Sequence, residues 1–374
     1  LLTILGTFMT RSGVFNSVHS FTQSAIGPTI LTFLTAALLW TVGLLGFRID
    51  KLTPEGRIEG GQSREAMFLI NNLLLVLFTF TVLLGTVFPL LVEAVRGVQM
   101  SVGRPYFDRM AVPLGAALLF LMGVGPALPW GRATGTQVRK ALLPPLLGAA
   151  IAAGLGFALG ARNAWTVLTL AFGGYTAQVT LAELWLPISQ RLKRGAGLGE
   201  ALVEGTLRGG RRRFGSYVVH TGVMLAIVAI AVSSTMGVSK EASLRPGDQA
   251  QLGPYTLTYL RAETLTEPHR SAVVARIAVS RGGQDIAVMG PRMNQYESQR
   301  EPIGTPDVKS FLFHDLYLSV MNISPDGQNL GLLALVNPMV GWIWGATGLM
   351  ALGGFLTLVP QRRVAAATAA EPGR

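Results

Sequence analysis

Residues 211–238 read RRRFGSYVVHTGVMLAIVAIAVSSTMGV. Three arginines open the stretch, and no charged side chain follows from Phe214 to Val238. A helix needs ~20 apolar residues to cross ~30 Å of hydrocarbon, and in lipid it satisfies its own backbone polar groups. The segment therefore predicts a membrane span with its basic end at one surface. Past Val238 the chain changes character: charges, Gly and Pro return, and the apolar runs shorten and alternate. The chain passes here from a membrane helix to a domain in water, and this reading decides the fold.

The same charge-free signature recurs at Gly27–Gly46, Ala66–Val92, Met110–Trp130, Ala141–Ala161, Asn163–Ala182 and Gly327–Gln361. With half of 374 residues hydrophobic, 14% charged and a mean hydropathy of +0.45, the composition is that of a polytopic membrane protein. The opening LLTILG is too short to span, has no signal-peptide pattern, and looks like the last turns of an eighth helix that begins before Leu1. The expected fold is an all-α polytopic membrane protein with about seven complete transmembrane helices plus a partial N-terminal one. A small β-rich periplasmic domain is inserted before the last helix. The expected boundaries are a helix end and outer loop at 1–26, a six-helix membrane domain at 27–238, the β-rich domain at 239–326, the last membrane helix at 327–361 and a cytoplasmic tail at 362–374.

Within 239–326, YTLTYL, SAVVARIAVS, QDIAVMG and DLYLSVMNI read as strands. RGGQD reads as a hairpin turn, because glycines accept positive φ. RPGDQAQLGPY, 245–255, reads as loop.

Orientation follows from the basic residues. Loops at 47–65, 131–140, 188–213 and 360–374 carry 17 Lys and Arg, whereas 7–26, 93–109 and the turn at Arg162 carry five. The positive-inside rule makes the first set cytoplasmic and the second set, with the long 239–326 segment, external. The net charge of +11 thus lies beside helix ends, where it meets anionic lipid headgroups rather than nucleic acid. There is no cysteine, hence no disulfide and no thiol catalysis by this chain. No nucleotide-binding loop, HExxH or Ser-His-Asp spacing occurs, which argues against a hydrolase or an ATP-driven pump.

Ionisable groups inside a membrane mark function. His220 lies six residues inside its span, ~9 Å along the helix axis. It is either hydrogen-bonded to a neighbouring helix or a metal or haem ligand, since a neutral imidazole is both easily buried and a common ligand. His19 lies in GTFMTRSGVFNSVHSF, 6–21, an outer segment bearing Phe8, Phe15, Phe21 and the cation Arg11. His269 and His314 read as a loop and a strand residue of the β-rich domain, and Asn71 and Asn72 as groups that can pair across helices.

Two of these stretches resemble the CcmF family, the haem lyase subunit of bacterial cytochrome c maturation. GTFMTRSGVFNSVHSF is similar to the outer loop after that family's tryptophan-rich signature, and NPMVGWIWGATGLMALGGFLTL, preceded by HDLYLSVMNI, to its outer-domain ending and last helix. GSYVVHTGVMLAI fits the helix carrying a buried haem ligand. The resemblance implies two membrane histidines for a resident haem b and two outer histidines for a haem in transit. His220 and His19 match one of each pair; the others, with the tryptophan-rich segment, would precede Leu1, so this stretch alone is expected to be inactive. The implied partners are a periplasmic haem chaperone, apocytochrome c, other cytochrome c maturation subunits and membrane lipid, in the bacterial inner membrane. Arg11, from its place eight residues before His19, is read as a propionate partner. Two other readings are a transporter using His220 as a proton relay, for which paired midplane charges should appear, and an assembly scaffold without haem.

Overall fold

The computed structural model describes residues 1–12, 26–52, 60–208, 210–297, 301–324 and 326–359. His19 and the expected tail 362–374 lie outside these residues. The chain divides into two compact units, Leu1–Gly61 with Val76–Met110, and Gln62–Leu75 with Ala111–Arg374.

The first unit holds α1 (Leu2–Arg11), α2 (Ile26–Phe47), the later part of α3 (Arg64–Arg96) and the first turns of α4 (Arg104–Ala127). Its helices touch where side chains vanish. A Cβ at Gly85 would lie 2.5 Å from the Tyr106 ring, whose hydroxyl donates to the Thr81 carbonyl at 3.0 Å.

The second unit holds the remaining turns of α3 and α4, then α5 (Gly135–Leu142), α6 (Leu146–Ala158), α7 (Ala164–Lys193), α8 (Leu198–Val203), α9 (Arg211–Met236) and α10 (Val340–Leu358). Local chemistry sets the boundaries. Thr134 and Gln137 form a reciprocal capping box at the start of α5. Pro144 and Pro145, which lack an amide hydrogen, separate α5 from α6. Asn163 Oδ1 accepts from the amides of Trp165 and Thr166 and so begins α7. Small residues again let backbones approach: a Cβ on Gly174 would meet the Gly148 carbonyl at 2.3 Å, and one on Gly215 the Gly353 carbonyl at 2.7 Å.

Among the described residues, six helical segments are long and apolar enough to cross a membrane: Ile26–Phe47, Arg64–Arg96, Arg104–Ala127, Gly135–Ala158, Arg211–Met236 and Val340–Leu358. The expected seventh, Asn163–Ala182, is helical as part of the 30-residue α7 but is less apolar. Thr166, Thr169, Thr176 and Thr180 are buried along it beside Tyr175, Val179 and Ile188. Thr176 donates to the Leu119 carbonyl at 2.8 Å, and Thr166 pairs with Thr235 at 2.7 Å. Two of the hydroxyls that lower its apolarity, those of Thr166 and Thr176, are thus bonded to neighbouring helices.

Between α9 and α10 lies an antiparallel β-sandwich. One sheet has the order β1 (Val238–Leu244), β10 (Leu330–Pro338), β9 (His314–Ile323), β8 (Asp307–Ser310). The other runs β2 (Gln249–Leu252), β3 (Tyr255–Glu267), β4 (Arg270–Arg281), β6 (Arg292–Tyr296), β7 (Ile303–Thr305), with β5 (Gln284–Met289) also paired to β4. The four strands read from the sequence are β3, β4, β5 and β9, and Gly282 and Gly283 turn the β4–β5 hairpin with φ of +57° and +81°. The core draws on both sheets, with Tyr255, Leu257, Tyr259 and Ile277 against Leu316, Leu318, Leu330 and Leu332.

Two expectations are corrected. Residues 330–338, assigned to the last membrane span, form β10, so the sandwich extends past 326 and α10 starts only at Val340. An apolar run reads equally as span or buried strand, and here its alternate residues Leu330, Leu332 and Ala334 are buried in the sandwich. The presumed loop 245–255 contains β2, whose Ala250 and Leu252 enter the same core.

Candidate functional site

Helix α9 presents Arg213, Tyr217 and His220 along one side, at spacings of four and three residues that put them on one helical face. With the first turns of α3 and the end of α4 they enclose a cavity of about 490 Å3, also lined by Arg64, Phe68, Asn71, Leu119 and Met122. This volume falls in the ~300–1,000 Å3 range of small-molecule and cofactor sites, as does the apolar lining with few polar groups. All of these residues belong to the second unit.

His220 is half-buried, and its Nδ1 is buried without a hydrogen-bond partner. The Tyr217 ring stands edge-on to the imidazole, with centroids 6.1 Å apart at 85°. Tyr217 is itself held from α7: its hydroxyl donates to Glu183 Oε2 at 2.9 Å, and Arg213 donates to the same oxygen at 2.6 Å. On the facing wall the Arg64 guanidinium donates through Nε to the Leu128 carbonyl at 3.1 Å and through a terminal nitrogen to the Pro126 carbonyl. It lies 5.3 Å above the Trp130 ring. The cavity therefore combines an imidazole lacking a partner, an apolar and aromatic body, and two guanidinium groups.

The sequence singled out His220 in this set and missed Arg64, Arg213, Tyr217 and Glu183. Arg64, Arg213 and Glu183 are charges that bounded the apolar windows and so were read as loop or helix ends; the i, i+4, i+7 spacing of 213, 217 and 220 was the available signal. Asn71 lines the cavity, and no hydrogen bond joins Asn71 or Asn72 to another helix among the described residues. Arg11 is exposed in the last turn of α1; His19, its expected neighbour, lies outside the described residues. His269 is exposed in the β3–β4 turn. His314 is a strand residue, as expected. Its Nε2 is 2.6 Å from the Tyr255 hydroxyl, and its ring stacks on Phe311 at 4.8 Å. Burial, then the nearby Arg281 charge, hold its pKa below the ordinary 6.5, against an opposing pull from Asp315.

Residues 235–334 match the family described as the CcmF C-terminal beta-sandwich, which coincides with most of the sandwich found here. The whole chain then decides the relationship. It is 32% identical to the cytochrome c-type biogenesis protein CcmF of Pseudomonas aeruginosa, over 96% of this chain and 54% of that protein. This chain is similar to the CcmF proteins along nearly all of its length. The CcmF of Escherichia coli is 30% identical over the same shares, 96% and 54%, and Ccl1 of Rhodobacter capsulatus, also a cytochrome c-type biogenesis protein, 29% over 98% and 54%. A solved structure, cytochrome c heme lyase CcmF, superposes with a TM-score of 0.69 at 31% identity, covering 91% of this chain and 52% of that one. The chain spans about half the length of the curated relatives it matches. Like CcmF it is a multi-pass membrane protein with a β-sandwich before its last helix.

Proposed function

We propose that this chain supplies the resident-haem cavity and outer sandwich of a haem lyase that works late in cytochrome c assembly. The observation that carries the reading is His220: an imidazole with an unsatisfied buried nitrogen on the wall of an apolar cavity of about 490 Å3. A bare metal ion needs three or four protein donors, and among the described residues no His, Cys, Asp or Glu group of that size exists. A single imidazole suits an iron whose four equatorial positions a macrocycle already fills. When bound, haem b here would supply one-electron reduction. His220 would hold it on one face, Tyr217 would fix the ring of His220 edge-on, and the apolar wall would exclude water.

In this reading His19, on the outer side, ligates a second haem in transit, and Arg11 meets one of its propionates. Haem arrives from a periplasmic haem chaperone, and its vinyl groups are joined to the CxxCH thiols of apocytochrome c, with other maturation subunits alongside. The protein would sit in the bacterial inner membrane. The basic turns by α5, α8 and α9 support a cytoplasmic face there, with the sandwich periplasmic. The names of the relatives support the assembly role, and the cavity supports the cofactor.

One observation favours the transporter reading: Arg213 and Glu183 form an ion pair beside His220, the kind of group a proton relay uses. Absorption spectra separate the two. The whole protein purified in mild detergent should show a Soret band and sharp reduced bands, and His220→Ala should lose the resident haem's share while still inserting in the membrane. An unchanged spectrum in His220→Ala would remove the ligand assignment.

A further inference from the structure

The two arginines of the cavity are in different electrostatic states. Arg213 has its counter-ion, with Glu183 Oε2 at 2.6 Å. Arg64 has no bonded one: among the described residues no carboxylate lies within ion-pairing distance of it, and the adjacent Glu65 feels its charge only as the least of several influences. The carboxylate next to it in sequence, Glu65, accepts instead from the Gly131 amide at 2.9 Å. The contacts of Arg64 are the Leu128 and Pro126 carbonyls and the Trp130 ring. They aim the guanidinium without cancelling its charge, and two carbonyls engage only some of its five N–H donors. A cation at the edge of an apolar membrane cavity is costly unless an anion meets it.

We propose that Arg64 is the carboxylate anchor of this cavity and takes a propionate of the haem that His220 would ligate. The inference rests on the haem reading above and adds to it which end of the occupant faces α3. The geometry asks for a ligand with a broad apolar body, a Lewis-acidic centre for the imidazole and a carboxylate at its rim. Because Glu183 already neutralises Arg213, the demand for an anion falls on Arg64. Trp130 under the guanidinium and the carbonyls at the end of α4 keep it pre-aimed, so little side-chain freedom is lost on binding.

The test uses the whole protein carrying this chain, produced under haem starvation and titrated with haem and, separately, with haem dimethyl ester, whose propionates carry no charge. Wild type should bind haem more tightly than the ester. Arg64→Gln should loosen haem on the order of 10- to 100-fold, the effect of losing a charged hydrogen bond, and leave the ester unchanged. Arg64→Lys should keep much of the preference for haem. Equal loss of haem and ester in Arg64→Gln would overturn the proposal, because Arg64 would then support the fold or hold a lipid phosphate. Unaltered haem affinity in Arg64→Gln would overturn it as well. Uptake of haem and ester by wild type with no dependence on Arg64 leaves the haem reading standing, whereas uptake of neither by wild type removes both.

Discussion

Helices α9 and α10 meet through residues that have almost no side chain, whereas strands β1 and β10, which continue them, are held by backbone ladders and large apolar side chains. Gly215 and Gly222 of α9 lie against Gly353 and Ala346 of α10, so close that a Cβ on Gly353 would stand 2.6 Å from the Gly215 carbonyl. Only Gly237 separates α9 from β1 and only Met339 separates β10 from α10. Beyond those single residues, Val238 to Leu244 pair with Val336 to Leu330, and Leu244, Leu330 and Leu332 enter the sandwich core. The contrast tracks the solvent. Lipid tails are as apolar as leucine, so helices gain from close backbone approach and not from hiding side chains. Phe355 and Trp344 of α10 accordingly point outward, 65% and 77% exposed. In water the gain comes from removing apolar surface, about 25 cal/mol per Å2.

That comparison can be broken most directly by truncating a side chain on each side of the junction. Leu318 of β9 is fully buried in the sandwich, and Leu318→Ala should cost about 2–5 kcal/mol of the domain's stability. Phe355→Ala on the outer face of α10 should cost less than about 0.5 kcal/mol in lipid, as for substitutions that disturb no packing. Hydrogen exchange of the β9 and β10 amides and of α10, in the whole protein, reads both. Comparable losses at the two sites would mean that the helices are held as the sandwich is.

A second prediction inverts the change. A Cβ at Gly222 would lie 2.7 Å from both the Ala346 carbonyl and Met350 Cγ, so Gly222→Val adds volume where the backbone cannot yield. About 1–3 kcal/mol of destabilisation is expected from overpacking, seen as earlier thermal loss of monodisperse protein in detergent. The same substitution at Gly348, which has nothing within 4 Å of its Cβ position, should be close to silent. Equal effects at the two glycines would sink the claim that contact, and not helix propensity, makes Gly222 necessary.

The sequence showed some parts of this architecture and hid others for physical reasons. Lack of charge marks a span, and it located six apolar helices; alternation and paired glycines located β3, β4, β5 and β9. It failed at β10, because LGLLALVNP is apolar at nearly every position and a strand covered by pairing partners and a facing sheet has no need of polar alternation. It located the helix of α7 as well, but did not show that the hydroxyls of Thr166 and Thr176 are bonded to neighbouring helices. His220 was legible because a histidine within an apolar window is rare. Arg64 and Glu183 were not, since a charge at the edge of a window looks like the end of a helix until the partner elements are known. His19, placed by resemblance, lies outside the described residues.

The smallest expected effect concerns pH, and it sharpens the contrast because only the sandwich side is in water. His314 sits between the Tyr255 hydroxyl and the Phe311 ring, with Arg281 and Asp315 as its charged neighbours. Burial chiefly, and Arg281 next, hold its pKa below the ordinary 6.5. A histidine whose folded pKa is lowered stays neutral while the unfolded chain takes up a proton, so the unfolded state binds more protons in that window. Stability should therefore begin to fall as pH drops through about 6.5 and level off below the folded pKa. Glu263 titrates in a separate window: Arg276 and Arg261 hold its carboxyl below the usual 4.5, so its contribution is present above that value and lost only under stronger acid. Hydrogen-exchange protection of β9, corrected for intrinsic rates, should decline between pH 8 and pH 5.5 in the native protein. His314→Gln should flatten that slope while leaving the loss near pH 4.5 in place. A slope that persists unchanged in His314→Gln would assign the effect to another group.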